Sequence, residues 1–230
     1  MTSSLVLLSG GLDSTVLAAH LRAAGDRVEA VSIHYGQRHA VELDAARAVA
    51  GRLGIRHDVV DLTVLRGVLT GSALTDDAVD VPEGHYAEAN MRSTVVPNRN
   101  AIMLSVAVGV AAARGLARVA TAVHAGDHPV YPDCRPEFVA AADATARAGT
   151  AGYGDVGVFA PFVTWSKADI AQWGDRIGAP LAQTWSCYVG GDVHCGRCGT
   201  CVERHEAFRL AGVADPTTYA DAAFALRVAP

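Results

Sequence analysis

The hydrophobic residues of this chain form short apolar runs that alternate with longer segments of helical spacing. In the first third of the chain the short runs, which suit buried strands, cover 5–8, 28–33 and 57–62. Between them, apolar residues recur every three to four positions, as expected for helices at 14–24 and 40–53. Gly25 and Gly54 follow these two segments and end them.

The same alternation continues beyond residue 100. Apolar runs predict strands at 116–122 and 158–162, and helical spacing predicts helices at 101–114, from about 138 to 148, and from Ser166 to Arg176. Strands that alternate with helices favour a parallel sheet with helices on both faces. We therefore predict an α/β domain over 1–180 with a doubly wound, mostly parallel, five-stranded sheet, followed by a C-terminal region at 181–230.

Residues 70–97 interrupt this pattern. The segment has no sustained period and is far longer than the ~4–6 residues usual for a connection. Its first half is acidic and contains Asp76, Asp77, Asp80 and Glu83. Loops of this length often cover a ligand site, so we expect a lid, and for the acidic half a disordered surface excursion is an equal alternative.

Composition and charge narrow the functional classes. The chain has 230 residues, of which 50% are hydrophobic and 19% charged, and its formal net charge is −5. No apolar run reaches the ~18 residues that a membrane-spanning helix requires, and the N-terminus lacks the segments of a secretion signal. A net negative charge argues against a large nucleic-acid surface. We therefore expect a cytoplasmic protein that acts on small molecules and binds neither membrane nor nucleic acid.

A glycine-rich turn joins the first strand to the first helix. It reads Ser9-Gly10-Gly11-Leu12-Asp13-Ser14-Thr15, with residues at the predicted helix start that commonly cap helices. Adjacent glycines leave backbone N–H groups accessible, and a helix N-terminus adds unpaired donors and a partial positive charge. A phosphate group would fit there. The lysine of the G-x-x-x-x-G-K-[ST] loop is missing, so the common ATPase loop is excluded, and a tight turn without ligand is the alternative.

Four of the five cysteines lie close together near the C-terminus. Cys187, Cys195, Cys198 and Cys201 have the spacing C-x7-C-x2-C-x2-C. The two short spacings bring thiolates around one point, and four sulfurs satisfy tetrahedral zinc without leaving an open position. We therefore predict one structural Zn²⁺ per chain, with an iron–sulfur cluster as the less favoured alternative. His194 is a conceivable substitute ligand, which four thiolates make unnecessary.

Several segments together resemble one family of enzymes. The opening turn is similar to the SGGxDS pyrophosphate loop of the N-type ATP pyrophosphatases. Further matching segments are Tyr35-Gly36-Gln37-Arg38-His39, Val96-Pro97-Asn98-Arg99-Asn100, Tyr131-Pro132-Asp133-Cys134-Arg135 with Glu137-Phe138, Ser166-Lys167, and Ser186-Cys187-Tyr188 with the later cysteines. Their order and spacing resemble the 7-cyano-7-deazaguanine synthases, also called preQ0 synthases or the QueC family, over nearly the whole chain.

The resemblance implies an adenine nucleotide alpha hydrolase-like fold, a homodimer, and a ligase that forms C–N bonds and releases AMP. The implied reaction converts 7-carboxy-7-deazaguanine and ammonia to the nitrile preQ0 through adenylated intermediates, in queuosine and deazapurine biosynthesis. ATP would bind with Mg²⁺. A carboxylate is a poor electrophile, and transfer of AMP to its oxygen gives it a good leaving group.

The resemblance also implies residue roles. The catalytic candidates are Asp13, Arg99 and Lys167. The ATP-binding candidates are Leu8, Ser9, Gly10, Gly11, Leu12, Asp13, Ser14, Thr15, Arg38 and Arg99. The substrate-binding candidates are Asp127, Asp133 and Arg135. Asp13 would hold either the cation or the turn itself, and for each single arginine or lysine a salt bridge at the surface is the alternative.

The helix start at Arg99 carries an argument of its own. A positive charge in the first turn of a helix is unfavourable, so Arg99 requires an anionic partner, and a phosphate or carboxylate ligand would supply one.

Two departures from the family pattern concern the substrate. Asn98 stands where glycine is commoner, and 122–130 is atypical, with His124 and His128 suggesting a changed base pocket. An amide as final product is one alternative. Others are a tRNA-modifying or thio-forming pyrophosphatase and a non-catalytic nucleotide-binding module. A sulfur route would require Cys134, which we interpret instead as a buried, unreactive thiol because adenylation needs no covalent capture.

Overall fold

The fold is built on five parallel strands. The structure, a computed structural model, describes residues 1–86 and 88–228. The strands are β1 (Ser3–Leu7), β2 (Arg27–His34), β3 (Arg56–Asp61), β4 (Arg118–Ala120) and β5 (Gly157–Phe159). They form one sheet in the order β3-β2-β1-β4-β5, and every pairing is parallel. The predicted five-stranded parallel α/β fold is confirmed, and the strand order reverses beside β1.

Eight helices accompany the sheet in the described residues. They are α1 (Leu12–Ala23), α2 (Glu42–Leu53), α3 (Glu88–Met91), α4 (Arg99–Ala113), α5 (Pro136–Thr150), α6 (Lys167–Arg176), α7 (Gly199–Ala211) and α8 (Ala222–Val228). Short 3-10 turns lie at Thr63–Gly67, Arg92–Thr94, Ala125–Asp127, Pro132–Cys134 and Leu181–Gln183. None of the helices seen in these two stretches is both long and apolar enough to cross a bilayer.

The central strand β1 is buried on both faces. Leu5 belongs to the same buried cluster as Leu104 of α4, whereas Val6 belongs to a second cluster with Val16 of α1. Parallel strands covered by helices on both sides are apolar where they are covered, as Leu5, Val6 and Leu7 of this strand are. The prediction of helices on both faces is therefore confirmed.

The two strands beyond β1 are shorter than predicted. β4 and β5 have three residues each, whereas the apolar runs predicted strands at 116–122 and 158–162. Pro161 follows β5 closely and cannot donate a ladder hydrogen bond, so the pairing ends before it. α4 begins at Arg99 and not at residue 101, which confirms that Arg99 lies in a first helical turn.

Residues 70–97 follow an irregular path that contacts the C-terminal region. Leu74 and Met91 are fully buried, and the short helix α3 was not predicted. Glu83 forms an isolated bridge with Cys198, and the backbone N–H of Gly84 donates to the carbonyl oxygen of Arg197 at 2.9 Å. The segment is thus tied to the cysteine-rich part of the chain, and its role as a lid stays a prediction.

The C-terminal region packs on the α/β core. Phe208 of α7 is buried in the same cluster as Val6 and Leu17, and α7 lies against α6. The backbone N–H of Trp185 donates to the carbonyl oxygen of Gly10 at 2.9 Å, which joins this region to the opening turn. The division of the chain at residue 180 stays a prediction.

Candidate active site

A cavity of about 230 Å³ opens at the carboxyl ends of three strands. Leu7 of β1, Ile33 of β2 and Thr121, which follows β4, are among its lining residues. Because the strand order reverses beside β1, this is the place where open α/β sheets bind ligands. The cavity is therefore the candidate active site.

Most of the predicted phosphate turn lines this cavity, namely Leu8, Ser9, Gly11, Leu12, Asp13 and Ser14. The other two residues of this segment, Gly10 and Thr15, do not line the cavity. Gly10 has φ +86°, and a Cβ there would lie 2.7 Å from the backbone nitrogen of Ala46 and closer still to the carbonyl oxygen of Glu42. Glycine at this position thus allows the turn to touch α2, while Thr15 is fully buried within α1.

Two serine hydroxyls hold the turn together. Ser9 Oγ and Ser14 Oγ are 3.0 Å apart, and Ser9 Oγ accepts a hydrogen bond from Gly11 N at 3.1 Å. α1 begins at Leu12 after an N-cap, Gly11, that makes no side-chain cap bond, so the predicted capping by residues 13–15 is wrong. The first N–H groups of α1 therefore keep no partner within the helix, and they favour an anion in the cavity.

A cluster of buried charges lies beside the turn. Lys167 Nζ is 2.5 Å from Glu203 Oε2 and 3.5 Å from Asp13 Oδ2. Burial opposes the charge on Lys167, but the carboxylates of Asp13 and Glu203 outweigh it and raise the pKa of Lys167 above its ordinary value. Lys167 is thus a positively charged group next to the proposed phosphate site.

His124 is almost completely buried against two of the carboxylates. Its Nδ1 accepts a hydrogen bond from Gly126 N at 3.1 Å, so in the neutral ring the proton is on Nε2. This Nε2 lies 3.5 Å from Asp127 Oδ2 and 3.8 Å from Asp13 Oδ2. His124 therefore directs an N–H toward both carboxylates, and it adjoins the charged cluster as well as the predicted base pocket.

Arg99 lies in the cavity among tyrosines. Its Nη1 donates to Tyr35 Oη at 3.3 Å, and its guanidinium carbon is 5.8 Å and 6.0 Å from the ring centroids of Tyr35 and Tyr131. Burial raises the pKa of Tyr35 to about 12, so its hydroxyl stays neutral. Among the residues that the structure describes, no carboxylate forms an ion pair with Arg99, which leaves this cation available to an anionic ligand.

The three substrate-binding candidates separate in the structure. Asp127 lines the cavity, and its Oδ1 accepts a hydrogen bond from Tyr86 Oη at 3.3 Å. Asp133 and Arg135 do not reach it: Asp133 Oδ2 accepts from Asn100 N at 2.9 Å, and Arg135 Nε donates to the carbonyl oxygen of His128 at 2.9 Å. Asp133 thus supports the cavity wall through the lining residue Asn100, whereas Arg135 bonds outside the lining.

Arg38 is an ATP-binding candidate that points away from the cavity. Its Nη2 donates to the carbonyl oxygens of Asp76 and Val79 at 2.9 and 3.1 Å, and its Nε is 3.5 Å from Asp77. Arg38 thus holds the acidic half of residues 70–97 in place. Its side chain does not line the cavity in which ATP would bind.

Cys134 is the cysteine outside the C-terminal cluster. It is buried at the cavity wall, and Asn100 Nδ2 lies 3.2 Å from its sulfur. Burial raises the pKa of the Cys134 thiol well above its ordinary value, with nearby Asp127 adding to the shift. The geometry agrees with an unreactive thiol.

The four C-terminal cysteines form a candidate metal centre. All four sulfurs lie within 4.8 Å of one another, and the Cys195–Cys201 and Cys187–Cys198 pairs are 3.9 and 4.0 Å apart. Tetrahedral zinc with Zn–S bonds of ≈ 2.3 Å requires sulfurs about 3.8 Å apart, so the donor set fits. His194 takes no part, because its Nε2 accepts a hydrogen bond from Ser186 N at 3.0 Å.

Several lining residues were not singled out from the sequence. They are Ser32, Glu42, Tyr86, Trp185, Thr200 and Glu203. Glu203 is the most important of them, because it is the nearest ion-pair partner of Lys167. Thr200 and Glu203 are three residues apart, so on a helix both side chains lie on one face. In the sequence, this stretch was interpreted only through its cysteines, and that spacing was not used.

Comparison with known proteins agrees with the geometry. A family model described as "Queuosine biosynthesis protein QueC" matches residues 3–212. The chain is 60% identical over 218 residues to a protein of Ruegeria sp. (strain TM1040) named 7-cyano-7-deazaguanine synthase, covering 95% of this chain and 93% of that protein. It is 57% identical over 221 residues to the protein of the same name from Brucella anthropi, covering 96% and 95%.

Two solved structures share the fold. The NMN synthetase from Francisella tularensis matches with a TM-score of 0.52 at 16% identity, covering 97% of this chain and 82% of that one. A 4-thiouridine synthetase in complex with RNA and ATP matches with a TM-score of 0.51 at 17% identity, covering 77% and 41%. At these identities the likeness concerns the fold alone.

Proposed function

Because the chain belongs to the QueC family of queuosine biosynthesis proteins, we propose that it is an enzyme that converts 7-carboxy-7-deazaguanine and ammonia to 7-cyano-7-deazaguanine at the expense of ATP. The observation that carries the proposal is one cavity lined by the Ser9–Ser14 turn, by Lys167 in its ion pair with Glu203, and by Arg99, with which no described carboxylate forms an ion pair. The cytoplasmic location and the homodimer stay predictions.

ATP would bind with its β and γ phosphates on the turn. The free N–H groups of α1 and the Lys167 ammonium group supply positive charge where pyrophosphate separates. Asp13 Oδ1 is buried and, within the described residues, has no hydrogen-bond partner. Such an oxygen suits a divalent cation, so Asp13 is the residue that would hold Mg²⁺ beside the phosphates. When bound, Mg²⁺ would neutralise charge on the phosphate oxygens.

The substrate would bind on the opposite wall. Arg99 would hold the 7-carboxylate, since a guanidinium matches the two oxygens of a carboxylate in a bidentate pair. Asp127 would accept hydrogen bonds from the edge of the base, and Tyr131 would pack against Arg99 and the ring. This placement brings the carboxylate and the α-phosphorus into one cavity, which is the proximity that the reaction requires.

The chemistry then proceeds in two rounds. A carboxylate oxygen attacks the α-phosphorus of ATP and pyrophosphate leaves, after which ammonia attacks the acyl carbon and AMP leaves with that oxygen. The amide oxygen attacks a second ATP in the same way, and loss of AMP and protons gives the nitrile. The chain's own contribution is positioning and electrostatic stabilisation. The cysteine cluster would hold Zn²⁺ as a structural centre, because four thiolates leave no position for substrate.

The proposal is tested by incubating the purified protein with ATP, Mg²⁺, ammonium and 7-carboxy-7-deazaguanine. We expect AMP, pyrophosphate and a product about 19 Da lighter than the acid by mass spectrometry. Accumulation of the amide would limit the reaction to its first round, and absence of AMP would contradict the proposal.

A further inference from the structure

Glu203 enters the cavity from α7, the helix that begins at the cysteine cluster. Its Oε2 lies 2.5 Å from Lys167 Nζ, and its side chain is 12% exposed. Thr200, three residues earlier on the same face, also lines the cavity. The first two turns of α7 thus form one wall of the candidate active site.

Lys167 needs an anionic partner at its position in the fold. It is the first residue of α6, where the helix dipole disfavours a cation, and its side chain is 16% exposed. A buried ammonium group without a paired carboxylate is costly. Of the described carboxylates, Glu203 at 2.5 Å and Asp13 at 3.5 Å form ion pairs with it, and Glu203 is the nearer.

The two carboxylates attract the ammonium group in competition. Without Glu203, Lys167 would pair with Asp13 alone and neutralise the carboxylate that the proposed function assigns to the cation. We propose that Glu203 is a positioning residue that holds Lys167 away from Asp13, and that the cysteine cluster fixes Glu203 through the first turn of α7. This inference rests on the proposed function, in which Lys167 contacts the phosphates of ATP.

The start of α7 is fixed by the cysteines and by the 70–97 segment. Cys198 is its N-cap and Cys201 lies in its first turn, two residues before Glu203. Gly199 N donates to the carbonyl oxygen of Pro82 at 3.2 Å, and a Cβ on Gly199 would lie 2.6 Å from Met91 Sδ. A metal bound to the thiolates would hold this turn, so its loss is expected to release Glu203.

The kinetic test compares Glu203→Gln and Glu203→Asp with the control Glu206→Gln. Glu206 lies on the same helix, 3.7 Å from His85, outside the cavity lining. We expect Glu203→Gln to lower kcat for AMP formation about 10- to 100-fold with KM for ATP within about threefold, and Glu203→Asp to recover part of the loss. Glu206→Gln is expected to match the unchanged protein.

A second readout needs no turnover, because Lys167 is the only lysine in the chain. Acylation by a succinimidyl ester, followed by mass spectrometry of the peptide that contains Lys167, measures how available its amine is. We expect Glu203→Gln to be labelled several-fold faster, since the amine then loses the nearer of the two carboxylates that hold it. Unchanged labelling together with unchanged kcat would overturn the positioning role.

The link to the cysteine cluster is tested by chelating the metal before labelling. Lys167 in the unchanged protein should then be labelled about as fast as in Glu203→Gln, and chelation should add little in that variant, because both changes remove the same support. The link would be overturned if chelation left the labelling rate unchanged, or if it raised that rate equally in the unchanged protein and in Glu203→Gln. Loss of the far-ultraviolet circular dichroism signal on chelation would also overturn it. Labelling as expected in a protein that makes no nitrile would count against the proposed function alone.

Discussion

Asp13 is the residue at which the charged groups of the cavity meet. Its Oδ2 faces Lys167 and His124 at 3.5 and 3.8 Å, and its buried Oδ1 has no hydrogen-bond donor among the described residues. A carboxylate oxygen buried without a donor is costly unless a ligand satisfies it. Asp13 is therefore better placed to hold a cation than to stabilise the turn, the two roles that its sequence position left open.

Replacing Asp13 by asparagine keeps the shape of the side chain and removes its charge. We expect AMP formation to fall at least about 100-fold, because the charge is needed where the phosphates separate. The thermal melting curve is expected to stay within a few degrees. The control is Asp44→Asn, on the exposed face of α2, where Asp44 pairs with Arg47. Undiminished AMP formation by Asp13→Asn would remove the turn from the mechanism.

Cys134 separates the proposed function from a sulfur-transfer reaction. The thiol of Cys134 is buried and protonated, so we expect the rates of AMP and nitrile formation in Cys134→Ala to stay within about threefold of those of the unchanged protein. The small cavity left by the substitution is expected to affect stability only. Product formation is followed by mass spectrometry. Complete loss of activity in a folded Cys134→Ala protein would indicate covalent catalysis and favour a thio-forming enzyme.

The positions of residues at the cavity could be predicted where the backbone alone decides the placement. The turn at 9–15, Arg99 and Lys167 come directly after strands or at helix starts, so their positions at the cavity follow from the chain's alternation. Arg38 also follows a strand closely, but the distant carbonyl oxygen of Val79 holds its guanidinium group elsewhere. The guanidinium group of Arg135 is held by the carbonyl oxygen of His128. A single sequence does not show such long-range partners.

Gly10 sets the contact between the opening turn and α2. The turn has φ +86° at this residue, and any side chain there would collide with the backbone of α2. The same turn accepts the hydrogen bond from Trp185, so a shift of Gly10 would also disturb the approach of the C-terminal region. The strand-turn-helix element thus depends on Gly10 both for the conformation of the turn and for its close contact with α2.

Gly25 offers a matched control for that dependence. Its φ of +84° is nearly the same, and a Cβ there would meet nothing within 4 Å. Gly25→Ala should therefore cost only the backbone strain of about 1–2 kcal/mol, whereas Gly10→Ala should cost about 2 kcal/mol more because of the collision. Urea unfolding measures both. Equal losses of stability would show that contact with α2 is unimportant.

The four-cysteine cluster, which we propose binds zinc, lies in a segment without a large core of its own. Cys198→Ser is expected to release zinc, measured by elemental analysis, and to lower the melting temperature, since metal binding contributes folding free energy. Cys134→Ala, which leaves the cluster intact, is the control. A soluble, zinc-free and fully active Cys198→Ser protein would show that the cluster is dispensable.

Elements with a clear apolar period could be predicted, and α7 could not. The helices α1, α2, α4 and α6 carry regular apolar spacing, and each was expected within a few residues of its observed bounds. In α7 the buried face includes the charged Arg204, only 1% exposed, which bonds to Thr184 and Ser186. Burial of a charge breaks the apolar period that sequence analysis relies on.

At the scale of the whole molecule, the two ends of the chain build one site. The opening turn supplies Asp13, the middle supplies Arg99 and Asp127, and the C-terminal region supplies Glu203. The C-terminal region, which the sequence analysis expected to be an appendage, thus forms a wall of the cavity. The parallel sheet with helices on both faces could be predicted from alternation, but its strand order could not, and this closure depends on contacts between residues nearly 200 positions apart.

The most direct test of the central claim follows oxygen during the reaction. The substrate is prepared with ¹⁸O in both oxygens of its 7-carboxylate, and the AMP released with ATP, Mg²⁺ and ammonium is analysed by mass spectrometry. If the carboxylate attacks the α-phosphorus, each AMP carries one ¹⁸O. AMP without the label, or ADP in its place, would contradict the account.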